Sequence, residues 1–259
     1  MTTTPHAPAT TAHHWQPPTG IAPRGTLLIL PGRGEHGGVY ERFGRRLSAD
    51  GYLVYAVGTG PDHTAKDVLA EAAAVVGPKP VAPFVLVGSD TGALQALHVA
   101  AAADPRLPLE GVILAGTAPT AGSAGPPPGP APDWDTELAA RTACPTHRKR
   151  LTEDERFVRG RLTVPVPTHL LADATPALPA LILHGGADPI SPLERARELE
   201  HRLPRVTLGV LHEGLHDVLN DAAHRTIAAT IVLWLERLRA EKPILTLESV
   251  EPFSPPARP

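Results

Sequence analysis

The hydrophobic positions of this chain fall into short continuous runs, separated by longer stretches in which apolar residues recur every three or four positions. The runs at 26–30, 52–57, 84–88, 111–115, 180–184 and 206–211 are aliphatic or β-branched almost throughout, and each predicts a strand. A continuous apolar run, as opposed to strict alternation, belongs to a strand covered on both faces. Helical periodicity occupies 39–49, 64–76, 91–103, 192–202 and 217–240. Strand and helix therefore alternate, which is the pattern of an α/β fold with a mostly parallel central sheet flanked by helices.

The alternation stops between 117 and 179. Residues 121–132 are a Gly/Pro/Ala run that cannot hold a regular helix, and two short helices are expected after it, at 134–142 and 152–161. A block of this size between two core strands reads as a cap, since long connections in compact domains usually serve a site. The expected organisation is a flexible segment at 1–24, a core at 25–117 and 179–242, a cap at 118–178 and a Pro-rich tail at 243–259.

Composition narrows the function classes. The chain has 259 residues, 42% of them hydrophobic and 20% charged, which is enough to bury a sizeable core. A formal charge of -3 leaves no basic excess for a phosphate backbone, so no nucleic-acid partner is expected. No run approaches the roughly 20 apolar residues of a membrane span, and the N-terminal stretch lacks a basic start followed by an apolar segment. Cys144 is the single cysteine, which excludes an internal disulfide and suits a reducing, cytoplasmic setting. Thirteen histidines are present, but none pairs at the spacing of a helical zinc motif, and neither a metal nor another cofactor is expected. The expected partner is a small-molecule substrate.

The most informative segment is Phe84-Val85-Leu86-Val87-Gly88-Ser89-Asp90-Thr91-Gly92-Ala93-Leu94. A buried strand runs straight into a helix through a turn with glycines two before and two after one residue, the pattern of a nucleophile elbow. With Gly88 and Gly92 as flanks the apex is Asp90; with Ser89 as apex the flanks would be β-branched Val87 and Thr91. Downstream, Asp188 follows the run at 180–184, and His216 follows the run at 206–211. Asp217 beside it reads as the N-cap of the last helix. The chain order of apex, acid and histidine differs from both protease orders.

These features, with Pro31-Gly-Arg-Gly-Glu-His36, Tyr40 and Gly51-Tyr-Leu-Val54, resemble the α/β-hydrolase superfamily, and within it the lysophospholipase/monoacylglycerol-lipase branch, over about 25–117 and 179–239. The resemblance implies an α/β-hydrolase fold, with Asp90 at the nucleophile position, His216 as base and Asp188 as the acid that orients it. It places the oxyanion hole at the backbone N–H groups of Arg33 and Thr91. Gly32, Ser89 and Trp134 are candidate lining of the substrate pocket, while Glu35 and His36 brace the oxyanion loop. The chain departs from the branch at Pro31, where the branch has His, and at Asp90, where it has Ser.

An aspartate at the apex changes the chemistry. A carboxylate attacking an ester carbonyl gives a mixed anhydride, so simple ester hydrolysis through Asp90 is unattractive. Displacement at saturated carbon, as in dehalogenases and epoxide hydrolases of the superfamily, suits a carboxylate better. Yet Thr91 stands where those families commonly place Trp, and all three tyrosines precede the elbow. The leading expectation is an Asp90–His216 dyad that abstracts a proton and eliminates a carboxylate, as α/β-hydrolase-like enzymes do with acetylated tetronates in polyketide antibiotic biosynthesis. The alternatives are hydrolysis of an ester, epoxide or C–halogen bond through Asp90 or His216-activated water, and a non-catalytic binding protein on the same scaffold.

Overall fold

The computed structural model describes residues 12–58, 60–120 and 133–240. Seven strands form one sheet: β1 (His13–Trp15), β2 (Thr26–Leu30), β3 (Leu53–Ala56), β4 (Phe84–Ser89), β5 (Gly111–Ala115), β6 (Ala180–Gly185) and β7 (Val206–Leu211), in the order β1-β3-β2-β4-β5-β6-β7. All neighbours are parallel except β1, which runs antiparallel to β3 along the edge. The helices are α1 (Glu41–Ala49), α2 (Ala65–Val76), α3 (Thr91–Ala102), α4 (Trp134–Arg141), α5 (Pro145–Glu153), α6 (Leu193–Arg202) and α7 (His224–Arg239).

Every residue of β2, β4, β5 and β6 is buried, as their unbroken apolar runs require. Successive side chains point to opposite faces, so each strand feeds two cores. Leu27, Ile29, Val85 and Val87 pack with Phe43 and Leu47 of α1 and with Ile227 and Ile231 of α7. Leu28, Leu30, Phe84 and Leu86 pack instead with α2, α3 and α6. This double cover fixes the carboxyl ends of β2, β4, β6 and β7, where the connecting turns converge. In such sheets that edge is where ligands bind.

Three expectations need correction. Residues 13–15 belong to the sheet, so the loose segment expected through residue 24 contains an edge strand. The second cap helix is α5, which starts at Pro145 and ends at Glu153. Proline presets the φ of a first helical turn. Asp154 then accepts from the Arg156 N–H at 3.0 Å, turning the chain where a helix over 152–161 was expected. The last helix begins at His224 with Ala223 as its N-cap, so Asp217 caps nothing there. It is buried and paired elsewhere.

Candidate active site

Asp90 occupies the sharp turn between β4 and α3 with φ 51° and ψ -119°, a left-handed conformation rare for a non-glycine residue. The flanking glycines are obligatory. A Cβ on Gly88 would lie 2.2 Å from the Gly92 carbonyl oxygen, and one on Gly92 would lie 2.1 Å from that of Leu30. Gly32 allows the loop after β2 to close on the elbow: an added Cβ would sit 2.8 Å from Asp90 Cβ. The Asp90 carboxylate, the apex expected from the sequence, faces the His216 imidazole. His216 Nε2 lies 3.3 Å from Asp90 Oδ1, and His216 Nδ1 lies 2.8 Å from Asp188 Oδ2. Asp188 is itself fixed by the N–H groups of Ile190 and Ser191, which donate to its other oxygen.

The residue that sequence reasoning credited only with a backbone role is Arg33. Its side chain grips Asp90 with two hydrogen bonds, Nε to Oδ2 and Nη2 to Oδ1, each 2.8 Å. Its backbone N–H also donates to Oδ2 at 2.8 Å. The expected open oxyanion donor is therefore satisfied by Asp90 itself, because a carboxylate is long enough to reach it. The Thr91 N–H has no acceptor among the described residues. Arg33 and Asp90 are 4% and 2% exposed, so this pair is screened by protein and not by water.

Burial alone would raise the pKa of Asp90, but the Arg33 charge and hydrogen bonds from His216 and Arg33 hold it well below the usual carboxylate range. Burial likewise opposes charge on His216, yet Asp188 and Asp90 outweigh it and push the imidazole up to about 10. At neutral pH Asp90 is thus held as a carboxylate between the Arg33 guanidinium and the His216 imidazolium.

Around this centre lies a second layer of buried charge. Arg141, on α4 of the cap, is 1% exposed. It donates to the Arg33 carbonyl at 2.9 Å and to Glu137 at 3.0 Å, and approaches Asp217 at 3.4 Å and Glu35 at 3.8 Å. His147 holds the other oxygen of Asp217 at 3.1 Å. Glu35 accepts from the Gly32 N–H at 2.8 Å and from the Tyr40 hydroxyl, which braces the loop as expected. Its burial, together with the charge of Asp217, raises its pKa to about 7 despite Arg141. His36 caps the 3-10 turn at Gly37–Tyr40 and bonds Asp154 of the cap at 2.8 Å.

Ser89 ends β4 with its side chain against the Tyr40 hydroxyl. Trp134 is half-buried; its indole N–H donates to Thr152 at 3.2 Å, its ring tilts against Phe157, and the Arg159 guanidinium lies over it at 4.6 Å. These are cap contacts, and none reaches Asp90 or His216. Among the described residues no group of His, Cys, Asp and Glu has the arrangement of a metal site, and no helix is long and apolar enough to cross a membrane.

This architecture and site order define an α/β-hydrolase. The chain belongs to the serine aminopeptidase S33 family, whose sequence model it matches over residues 21–223. Among solved structures it is similar to a monoacylglycerol lipase from Paleococcus ferrophilus, with 20% identity, a TM-score of 0.67, and coverage of 89% of this chain and 99% of that one. It is also similar to a soluble variant of the Saccharomyces cerevisiae monoglyceride lipase, at 17% identity and a TM-score of 0.66 over 88% of this chain and 91% of the other. A third is the meta-cleavage product hydrolase of Pseudomonas fluorescens, at 16% identity and a TM-score of 0.67 over 88% and 94%. At these identities the structural likeness is one of fold. No curated protein sequence matches the chain.

Proposed function

We propose that His216 moves the proton in this enzyme, that Asp90 is its charge partner and not a nucleophile, and that the reaction eliminates a carboxylate from an acylated small molecule. An acetylated tetronate is the kind of substrate meant. The observation that carries this reading is the Arg33 fork on Asp90. A carboxylate attacks through a basic lone pair. Here Oδ1 faces Arg33 and His216, while Oδ2 accepts twice from Arg33. A carboxylate so engaged, and held so far below its usual pKa, is a weak nucleophile.

In the reaction, neutral His216 takes the proton from a carbon acid. The C–H electron pair becomes the new C=C bond, and the C–O bond on the adjacent carbon breaks with its pair, leaving as carboxylate. Asp90 and Asp188 stabilise the imidazolium formed. Since His216 keeps its proton up to about pH 10, the neutral form is scarce at pH 7, a handicap of about 4 kcal/mol. The same basicity strengthens the base once formed. Hydrolysis by water activated by His216 is the second reading, favoured by the family match.

The two readings separate in heavy-oxygen water with acetylated β-acyloxy carbonyl compounds, an acetylated tetronate among them. Elimination gives an alkene and unlabelled acetate. Label in the acetate or the alcohol product would establish hydrolysis, and label in the peptide containing Asp90 would establish a covalent route; either overturns the proposal.

A further inference from the structure

Arg33 has a second edge. Its Nη1 donates to the carbonyl oxygens of Leu162 and Val164, both at 2.8 Å, while Nε and Nη2 hold Asp90. One N–H of Nη2 has no acceptor among the described residues. Residues 161–167 form a strap of the cap with a 3-10 turn at Arg161–Thr163. Among the described residues these two bonds are the only hydrogen bonds that tie the strap to the core. Lifting the strap therefore exposes the Nη1–Nη2 edge of a guanidinium whose other edge stays fixed on Asp90.

We propose that this edge is a carboxylate-binding site, which receives the carboxylate expelled in the reaction, with the carbonyls of Leu162 and Val164 occupying it while the site is closed. The end-on edge of a guanidinium matches the two oxygens of a carboxylate. Its position fits the chemistry: Nη2 bonds the same Asp90 oxygen that His216 Nε2 faces. The C–O electron pair would thus settle on an oxygen beside Arg33, while the proton from the neighbouring carbon goes to His216. Arg33 is then a catalytic residue that stabilises the leaving group. The assignment to a leaving group rests on the elimination reading, whereas the binding of a carboxylate does not.

The test uses the full chain and acetate as probe, with methyl acetate as the uncharged control. The nitrogen resonances of Arg33 and His216 are followed by NMR during titration. Saturable shifts with acetate and none with methyl acetate are expected. Arg33→Met should weaken acetate binding at least tenfold, about the loss of one charge-assisted hydrogen bond. Because that variant leaves Asp90 without its counter-charge, the double variant Arg33→Met/Asp90→Asn serves as the folded reference. Absence of saturable shifts in the parent chain, or binding undiminished in the double variant, overturns the proposal. Acetate binding at Arg33 together with label in the products of the heavy-oxygen reaction would leave the carboxylate site standing and remove the elimination.

Discussion

The Arg33–Asp90 pair makes a quantitative prediction about stability. Each partner is buried, and each is the other's main compensation. Removing one member of a buried pair costs about 3–5 kcal/mol, because it strands the other charge, whereas removing both together is often close to neutral. Arg33→Met leaves Asp90 with the Arg33 N–H and His216. Asp90→Asn leaves Arg33 with the carbonyls of Leu162 and Val164. Those remaining contacts place each single variant near the lower end, about 3 kcal/mol. For a domain of this size that corresponds to a fall in Tm of roughly 6–12 °C. The double variant should lose less than either single one, giving a coupling energy above about 3 kcal/mol. Urea unfolding of the four proteins at pH 7 measures it. Additivity within about 0.5 kcal/mol would refute the claim that the two charges hold each other.

Other consequences concern protons and the elbow. His216 should titrate by NMR near pH 10, and in Asp90→Asn its pKa should fall. Its folded pKa lies above the ordinary 6.5, so the stability it contributes is complete below pH 6.5 and is lost as pH rises through about 10. Under the base reading, kcat/KM climbs over the same interval and then levels; a rate that falls there would make His216 an acid instead. Glu35 is raised from 4.5 to about 7, so burying it disfavours the fold progressively as pH rises from 4.5 to about 7. Glu35→Gln should flatten that portion of the pH–stability curve, and an unchanged curve would deny the shift. Gly88→Ala should abolish soluble folded protein, since the added methyl meets backbone and no side chain can move aside.

The central sheet was legible because burial on both faces writes itself as unbroken aliphatic runs, and β2, β4, β5 and β6 fall where those runs lie. The elbow was legible for a different reason: two close backbone approaches demand glycine at fixed offsets from Asp90. What escaped was held together across the sequence. β1 has only His13, His14 and Trp15, with no aliphatic signal, and exists through pairing with β3. The α5 boundaries depended on the side chain of Asp154 competing with the helix. The grip of Arg33 on Asp90 joins residues 57 positions apart, through a side chain whose reach no local pattern encodes. The one available clue was charge complementarity, an arginine in the loop that must close over an acidic apex.

That complementarity extends to the cap and decides what kind of unit the cap is. Arg141 reaches from α4 to the carbonyl of Arg33, to Asp217 beside His216 and towards Glu35 in the loop that follows β2. It enters a region that otherwise holds buried carboxylates, and Asp217 already raises the pKa of Glu35. Without Arg141, Glu35 and Asp217 would face each other at low dielectric, and one would have to take up a proton. The backbone repeats the connection: the N–H of Asp217 donates to the Arg141 carbonyl at 2.8 Å, and that of Val158 to the Gly34 carbonyl at 2.9 Å. A cap joined in this way supplies the counter-charge that lets the loops on either side of Asp90 keep their acids. The division between core and cap is therefore one of chain order, while the electrostatic unit crosses it. The part of the cap with the sparsest hydrogen bonding to the core is the strap at 161–167, held by Arg33 alone among the hydrogen bonds described, together with the packing of Leu162 and Val166. Opening that strap breaks two carbonyl contacts and the packing of Leu162 and Val166, whereas lifting α4 would carry Arg141 and Glu137 away together and leave Glu35 and Asp217 buried without the arginine's charge.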